Sequence, residues 1–482
     1  YINFFLNKTS FASDVLKEIL KKKDKFGQGK GNKKILIEFS QPNTHKAFHV
    51  GHIRGTSLGE SLARIFEFSG NKVIRANYSG DTGMHIAKWI WCYTNFHKKD
   101  KLTADESWIA GIYVDAVKRL AENELLQVEV DEINRKIESK EDKKINELWK
   151  KTRQLSIDSW KKIYQELGTH FDIHFFESQA EAPGKKIAHE LVKKGIAIIS
   201  DEATIMDLKD YGLSVWVLLR KDGTVLYSAK DLALAEEKIK KFHADEYLVT
   251  VGDEQNLHFQ QLVKTLELMN FEKKDAYKFL TFGMVRLPSG KMSSRTGDNI
   301  LYSSFMEEVQ DYAKSEIAKR EKLSQKDLSD RALKISIAAI KYSMLKQSSN
   351  SVIVFDKEKA LTFEGDTGPY LLYSYARAKS ILAKSKYKKS TFKAKDVNEK
   401  EKLLINELNK FPDIVAHAYS SLAPNLVANY AFQLSQVFNE FYHANQVIGS
   451  EQEQFRLVLV DCFSQVLKNA LHLLGINVLE RM

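Results

Sequence analysis

Cysteine is nearly absent from this 482-residue chain, which contains only Cys92 and Cys462. Two thiols exclude a disulfide scaffold and a cysteine-rich structural zinc site, and they favour a reducing, cytoplasmic setting. Long apolar runs are also missing, since Leu213–Leu219 is closed by Arg220 and is far shorter than the roughly 18 residues of a membrane span. Polar residues such as Asn7 interrupt the apolar start, so no secretory signal is predicted.

What the chain does have is a surplus of positive charge. Lysine and arginine total 73 and aspartate and glutamate 63, which gives a formal charge of +10. Such a surplus favours polyanionic partners such as nucleic acid. The length allows about three domains, and the 43% apolar and 28% charged residues are typical of a soluble globular protein.

A βαβ unit is predicted between Lys33 and Tyr78. A β-prone run at 35–39 ends in a turn cluster, apolar residues then recur at helical spacing from Gly51 to Phe68, and a second β-prone run follows Gly70. A βαβ unit implies a parallel sheet, whose ligands lie beyond the carboxyl ends of the strands. The pattern predicts inserted helical material at about 87–200, further strands at about 204–286, and helices alone from about residue 299.

Two histidines in His49-Val50-Gly51-His52 stand at the start of the predicted helix. Imidazoles three residues apart lie on one face of a first helical turn, and Gly51 lets a nucleotide approach the backbone. Such N–H groups can hold the phosphates of ATP while charge builds on the leaving pyrophosphate. The alternative is a pair of capping or surface histidines.

A second phosphate-binding element is predicted in the segment Lys291-Met292-Ser293-Ser294-Arg295. A lysine, hydroxyl groups and an arginine on a glycine-flanked loop can close over a triphosphate. By itself the segment is better interpreted as an ordinary basic surface loop. Together with the histidine pair, about 240 residues earlier, it favours nucleotide chemistry.

At these residues the sequence resembles a known family. The two elements look like the HIGH and KMSKS motifs of class I aminoacyl-tRNA synthetases, and their surroundings resemble arginyl-tRNA synthetases in particular. The resemblance is carried by IEFSQPNTHKAFHVGHIR at 37–54, VIRANYSGDTG at 73–83, VGDEQNLHFQQ at 251–261 and GDTGPYLLYSYARAKSI at 365–381.

The resemblance implies an α/β Rossmann-like catalytic domain, with a parallel sheet and helical insertions, followed by an all-α anticodon-binding domain. The expected division is a remnant of an N-terminal domain at 1–30, the catalytic domain at 31–298 with insertions at about 90–150 and 178–225, a helical connector at 299–364, and the anticodon-binding domain at 365–482. The lysine usually fourth in KMSKS is Ser294 here. Lys46, just ahead of the HIGH motif, and Arg295 are both possible replacements.

A guanidinium substrate needs a carboxylate and a neutral or aromatic partner. Tyr227 and Asp231 lie one helical turn apart in a predicted helix, and by resemblance they hold the arginine side chain. A helix N-terminal pair with Asp231 serving the dipole is the alternative. The resemblance places five further residues around arginine: Glu38, Ser40, Asn43, His49 and Gln255.

The same resemblance implies an ATP site and a tRNA site. ATP is expected to contact His49, Gly51, His52, His258, Met284, Val285 and Lys291. The residues expected to take part in the chemistry are His49, His52, Lys46, Lys291, Ser294 and Arg295. Aromatic and arginine side chains suit unstacked bases, and the residues expected near the anticodon are Tyr370, Tyr373, Arg377, Tyr442 and Met482. Tyr370 and Tyr373 are also spaced as a helix core face would be.

The sequence therefore predicts a cytoplasmic, monomeric enzyme that joins L-arginine to its tRNA through an arginyl-adenylate, using ATP with Mg²⁺ and releasing AMP and pyrophosphate. No membrane association is expected. Two alternatives are a catalytically silent RNA-binding paralogue and another HIGH-type nucleotidyltransferase.

Overall fold

The computed structural model describes residues 7–288, 300–319, 321–385, 387, 392, 394 and 396–482. They form two compact units. The sheet unit comprises Lys33–Gly59 and Val73–Phe305, and the helical unit comprises Tyr1–Asn32, Glu60–Lys72 and Met306–Met482, each as far as these ranges are described. Lys291, Ser294 and Arg295 lie outside the described residues.

The strands of the described chain are β1 Lys34–Glu38, β2 Lys72–Ser79, β3 Ile173–Phe176, β4 Ile198–Ser200, β5 Ala203–Asp207, β6 Val215–Leu219, β7 Glu246–Gly252, β8 Tyr277–Phe282, β9 Val285–Arg286 and β10 Ile353–Val354.

The main sheet of the sheet unit has the order β3-β2-β1-β7-β8. β1 pairs with β7, β2 with β3 and β7 with β8, all in parallel. The parallel sheet predicted from Lys33–Tyr78 is thus confirmed. The chain builds outward from β1 in one direction and from β7 in the other, so the order reverses between these two strands. In open α/β sheets, ligands bind at the carboxyl ends of the strands at such a reversal.

The α-helices of the described chain are α1 Lys8–Lys22, α2 Val50–Phe68, α3 Met84–Cys92, α4 Glu106–Glu122, α5 Gln127–Ser139, α6 Lys143–Glu166, α7 Glu177–Lys193, α8 Tyr227–Phe242, α9 Asn256–Leu268, α10 Tyr302–Ala318, α11 Gln325–Leu345, α12 Lys357–Ala360, α13 Gly368–Lys384, α14 Glu399–Asn409, α15 Phe411–Ser421, α16 Pro424–Ala444 and α17 Glu453–Leu473. No described helix is both long and apolar enough to cross a membrane.

The two predicted insertions differ in structure. Helices α3 to α6 occupy the first, and Trp89, Trp91 and Trp149 are buried in its core. The second contains most of α7 and then an antiparallel sheet in the order β4-β5-β6. That small sheet packs with α7 and α8 into the core that also covers one face of the main sheet.

Two glycines allow close packing beside the strand ends. A Cβ at Gly59 would lie 2.1 Å from Cγ of Phe39, so only glycine lets α2 approach the end of β1 this closely. A Cβ at Gly184 would lie 2.8 Å from the carbonyl oxygen of Ala229, which lets α7 and α8 pack side by side. The first turn of α8 therefore lies directly against α7.

The helical unit has a core formed mainly by α13, α16 and α17. Buried residues recur along one face of α13 and of α16, as the 3.6-residue period requires, whereas α17 is buried over most of its circumference. Phe438 of α16 and Phe463 of α17 stack with ring centroids 3.7 Å apart, and both are fully buried. The helices predicted after residue 299 are therefore present, and β10 is a short exception to the helical pattern.

Candidate active site

The loop from Phe39 to Phe48 follows β1 and has an unusual backbone. Ser40, Gln41 and His45 have φ of 78°, 52° and 62°, a region that side chains other than glycine rarely adopt. Side-chain hydrogen bonds hold the loop in place. Ser40 Oγ lies 3.0 Å from the Tyr164 hydroxyl, and it accepts a hydrogen bond from Thr56 Oγ1 at 2.9 Å. Strained backbone that is fixed in this way is typical of binding sites.

His49 and His52 stack at the start of α2, with ring centroids 3.8 Å apart. The backbone N–H of His49 donates to Nδ1 of His52 at 3.0 Å, and the backbone N–H of Gly51 donates to Nδ1 of His49 at 3.2 Å. Because each Nδ1 is an acceptor, each neutral ring carries its proton on Nε2. The predicted pair on one helical turn therefore presents two N–H donors.

Both imidazoles are neutral at pH 7. Burial, and then the charge of Lys46, lowers the pKa of His49 to about 4. Burial lowers the pKa of His52 well below its ordinary value, with further contributions from His49 and Lys46. The motif thus provides hydrogen-bond donors that carry no permanent charge.

The positive charge of Lys46 lies near the histidine pair. Its ammonium lies 5.4 Å from the ring centroid of Tyr113. Burial, and then repulsion from Lys88, lowers its pKa. No carboxylate of the described residues lies within ion-pair distance of Lys46, so its charge is available to an anion.

Tyr227 and Asp231 lie on the first two turns of α8, as predicted. The Tyr227 side chain is exposed, whereas Asp231 is largely buried and accepts a hydrogen bond from Nε2 of His258 at 2.6 Å. Trp216 Nε1 donates to Nδ1 of His258 at 3.3 Å, so His258 donates from Nε2 as a neutral ring. Both ring nitrogens of His258, an expected ATP contact, therefore have partners next to Asp231.

Glu38, at the end of β1, is already neutralised. Its Oε2 lies 2.6 Å from Lys238 Nζ, and its Oε1 accepts a hydrogen bond from Gln41 Nε2 at 2.9 Å. Burial alone would lower the pKa of Lys238, but the charges of Glu38 and Tyr277 more than offset this and raise it. Glu38 thus belongs to a buried ion pair at the carboxyl end of β1.

Sequence reasoning missed Glu177, which begins α7 directly after β3. Its Oε1 is paired with Lys230 Nζ at 2.8 Å, while its buried Oε2 has no hydrogen-bond partner among the described residues. The buried hydroxyl of Tyr78 is likewise without one. Burial, and then the charges of Asp231 and Glu177, raises the pKa of Tyr78, so these groups face the same space. A carboxylate immediately after a parallel strand was the signal that could have found Glu177.

Asn43 reaches the same space from the loop after β1. A Cβ at Gly80 would lie 2.4 Å from Asn43 Oδ1 and 3.3 Å from Glu177 Oε2, so both side chains converge over this glycine. Among the other expected contacts, Gln255 is exposed in the turn between β7 and α9. Met284 is exposed just before β9, and Val285 is buried within it.

The helical unit contains a cavity of about 1300 Å³ lined by four of the residues expected near the anticodon: Tyr373, Arg377, Tyr442 and Met482. The guanidinium of Arg377 lies 4.7 Å from the ring centroid of Tyr373 and 5.6 Å from that of Tyr442. Tyr370, the fifth expected residue, instead accepts a hydrogen bond from Asn439 Nδ2 at 2.8 Å. Asn439 Oδ1 in turn accepts one from Arg377 Nη1 at 2.7 Å.

Comparison with known proteins connects both units to one enzyme family. Residues 15–356 match the family of tRNA synthetases class I (R), catalytic domain, and residues 371–482 match the DALR anticodon binding domain. The chain is 37% identical over 490 residues to arginine–tRNA ligase of Clostridium acetobutylicum, covering 100% of this chain and 86% of that protein. For the Clostridium perfringens enzyme of the same name the identity is 35% over 492 residues, covering 100% and 86%.

Solved structures support the fold. Thermus thermophilus arginyl-tRNA synthetase superposes with a TM-score of 0.84 at 24% identity, covering 100% of this chain and 87% of that one. Arginyl-tRNA synthetase from Plasmodium falciparum gives 0.81 at 23% identity, covering 99% and 83%.

Proposed function

This chain belongs to the class I arginyl-tRNA synthetases and joins arginine to tRNA, and we propose that it does so in the pocket at the carboxyl ends of β1 and β7. The observation that carries the assignment of the pocket is the charge of Asp231. Asp231 accepts a hydrogen bond from the neutral imidazole of His258. No lysine or arginine of the described residues lies within ion-pair distance of Asp231. A largely buried carboxylate left without a cation calls for a cationic substrate.

The groups around Asp231 suit a guanidinium better than an ammonium ion. A guanidinium presents five N–H donors in a plane and accepts no hydrogen bond. Glu177 Oε2 and the Tyr78 hydroxyl supply acceptors that have no other partner among the described residues, and Tyr227 supplies an aromatic face. Glu38, Ser40, Asn43 and Gln255 are proposed to hold the α-amino and carboxylate end of arginine.

The reaction needs no covalent enzyme intermediate. The arginine carboxylate attacks the α-phosphate of ATP and displaces pyrophosphate, and a terminal hydroxyl of the tRNA then attacks the adenylate and releases AMP. His49 and His52 are proposed to donate their Nε2 protons to the phosphates as charge builds on the leaving group. Lys46 supplies a positive charge, and Lys291, Ser294 and Arg295 are proposed to add to it.

ATP is proposed to enter as its Mg²⁺ complex, with the ion held mainly by the phosphates. Within the described residues, the one group of three side chains able to surround a metal ion lies on α3, the turn that follows it and α4, and it includes neither histidine of the motif. Gly51, His258, Met284 and Val285 are proposed to contact the nucleotide. A cytoplasmic monomer is proposed as the working form.

Charging of total tRNA with each standard amino acid in turn tests the assignment. Arginine should be attached, lysine should not, and attachment should require ATP. Lysine is the sharpest comparison because it has the same charge but lacks the planar donors. Attachment of another amino acid, or binding of tRNA without charging under any condition, would contradict the assignment.

The helical unit is proposed to read the anticodon through Arg377. Its guanidinium lies against two tyrosine rings in the cavity, and such platforms stack unpaired bases. Arg377→Ala should weaken tRNA binding by about 1–3 kcal/mol, the usual contribution of one stacked base. The KM for tRNA should rise roughly 5- to 150-fold by that estimate, while the KM values for arginine and ATP stay unchanged.

Lys326→Ala provides the control, since Lys326 is an exposed cation on α11 outside the cavity. It removes the same charge and should change the KM for tRNA much less. Arg377→Lys keeps the charge but loses the planar stack, and it should behave like Arg377→Ala. Equal losses in the Arg377→Ala and Lys326→Ala variants would show that only net charge matters.

A further inference from the structure

Three side chains able to bind a metal meet on the insertion helices, apart from the pocket described above. They are Cys92 at the end of α3, His97 in the turn that follows, and Asp115 on α4. Their Sγ, ring nitrogen and carboxylate oxygen atoms all lie within 4.8 Å of one another. Cys92 Sγ is 3.4 Å from Asp115 Oδ2, and His97 Nε2 is 2.9 Å from the same oxygen.

A π-helical turn brings the first two together. In an α-helix, residues five apart point about 140° away from each other. Tyr93–His97 is instead π-helical, a form whose hydrogen bonds join residues five apart, so that Cys92 and His97 share one face. Single π-helical turns are rare and are frequent at functional sites. The unusual backbone therefore points to this pair of side chains.

A further carboxylate orients the imidazole. His97 Nδ1 lies 3.0 Å from Asp100 Oδ2, which leaves Nε2 facing Cys92 and Asp115. Histidines that bind metals usually donate their other ring N–H to a carboxylate or a carbonyl in this way. The side chains of His97 and Asp115 are each about a quarter exposed, at 28% and 27%, so an ion and a water molecule can reach the cluster from solvent.

We propose that Cys92 Sγ, His97 Nε2 and Asp115 Oδ2 bind a Zn²⁺ ion, with water in the fourth position. Zinc accepts sulfur, nitrogen and oxygen ligands in tetrahedral geometry, at about 2.3 Å to sulfur and about 2.0–2.2 Å to nitrogen and oxygen. In a tetrahedron these lengths separate the ligand atoms by roughly 3.3–3.6 Å. The sulfur and oxygen already have that separation. The imidazole nitrogen is 2.9 Å from the oxygen and within 4.8 Å of the sulfur, so the ring has to shift to reach it.

Binding exchanges protons for the ion. The Cys92 thiol, now a hydrogen-bond donor to Asp115, loses its proton to solvent as the sulfur–zinc bond forms. Any proton on His97 Nε2 leaves as well, while Nδ1 keeps its own toward Asp100. No oxidant or reductant is involved.

The competing cation is Arg119, whose Nε donates to Asp115 Oδ2 at 2.8 Å. Its side chain is 37% exposed and its guanidinium lies 3.9 Å from the ring centroid of Phe96. Exposed ion pairs of this kind contribute little, so Arg119 can turn aside or move to the other carboxylate oxygen. Its presence predicts a specific result, because removing Arg119 should strengthen metal binding.

Titration of the full chain with Co²⁺, followed by Zn²⁺, tests the site. Cobalt bound to a thiolate gives a sulfur-to-metal charge-transfer band in the near ultraviolet, together with intense visible bands when it is tetrahedral. We expect one ion per chain with both features, and their loss when Zn²⁺ is added. Cys92→Ser should remove the charge-transfer band, whereas Cys462→Ser, which changes the other buried cysteine, should leave it intact.

Variants at more exposed positions keep the test valid if Cys92→Ser folds poorly. Asp100→Asn should lower Co²⁺ affinity about 10- to 100-fold, as loss of a supporting carboxylate usually does, and Arg119→Ala should raise it. The proposal is wrong if saturating Co²⁺ gives no charge-transfer band, if the band survives in Cys92→Ser, or if Asp100→Asn and Arg119→Ala leave the affinity unchanged. The first result would mean that the cluster is a network of hydrogen bonds only.

Discussion

Asp231→Asn should lower kcat/KM for arginine roughly 30- to 5000-fold, which corresponds to a loss of about 2–5 kcal/mol in transition-state stabilisation. The variant keeps the shape of the side chain but removes the one charge in the pocket that no described lysine or arginine neutralises. Most of the loss comes from a desolvated guanidinium left without its counter-charge. The KM for ATP should change little. Steady-state kinetics of tRNA charging, with arginine and ATP varied separately, measures both values.

His258→Gln distinguishes a direct role of Asp231 from an indirect one. His258 donates to Asp231 at 2.6 Å, so the aspartate could act by fixing that imidazole. If so, the two variants should lose similar amounts of arginine kcat/KM and the double variant should lose no more than either. If Asp231 contacts arginine, Asp231→Asn should cost far more. Asp210→Asn, at an exposed position between β5 and β6, is the charge-matched control and should be silent.

Local patterns predicted the scaffold well. The strand–turn–helix–strand run from Lys33 to Tyr78 specified β1, α2 and β2 because apolar periodicity and a C-cap glycine are local signals. The position of the histidine pair followed from the same run, and the pair lies at the start of α2 as expected. Tyr227 and Asp231 were also placed correctly because their spacing is that of one helical turn.

Long-range pairing could not be predicted in the same way. Nothing near Glu38 in the sequence indicates that Lys238, 200 residues later, neutralises it, and nothing near Glu177 indicates Lys230. The first contact depends on how α8 packs against the sheet, and the second depends on how α7 and α8 pack together, which the glycine at position 184 allows. For the same reason the two carboxylates expected around arginine differ. Glu38 forms an ion pair with Lys238, whereas Asp231 has no lysine or arginine partner among the described residues.

The π-helical turn after α3 was also beyond sequence reasoning. Its five residues read as a continuation of a helix, and Cys92 and His97 would then lie on different faces. Only the backbone shows that they meet. An extra residue in one turn moves every side chain after it, so a pattern based on the 3.6-residue period cannot place them.

His49→Ala and His52→Ala should each lower the rate of adenylate formation about 10²- to 10³-fold, the usual cost of removing one donor to a developing negative charge. The affinity for ATP should change far less if, as proposed, the Nε2 protons are donated to charge that grows during the reaction. Arginine-dependent exchange of pyrophosphate into ATP, in the presence of tRNA, measures the rate. Equilibrium binding of ATP measures the affinity.

His189→Ala, at an exposed position on α7, is the control for loss of an imidazole as such. His52→Gln, which restores an N–H donor without a ring, should recover part of the rate lost in His52→Ala. An equal fall in rate and in ATP affinity would contradict a role specific to the transition state.

The pH dependence separates neutral donors from charged ones. The pKa of His49 is about 4 in the folded protein, below its ordinary value of 6.5, so the ring stays neutral between pH 6 and 8. Protonation of His49 should therefore cause no change in the exchange rate near pH 6.5. The pH profiles of the parent protein and of His49→Ala should have the same shape in that range. Since the unfolded chain takes up this proton first, the stability contributed by neutral His49 is present above pH 6.5 and is lost as the pH falls toward 4. Denaturant unfolding should show a smaller loss of stability over that interval in His49→Ala than in the parent protein. A histidine that carried positive charge while bound to phosphate would give the opposite result, with activity falling as the pH rises through 6.5.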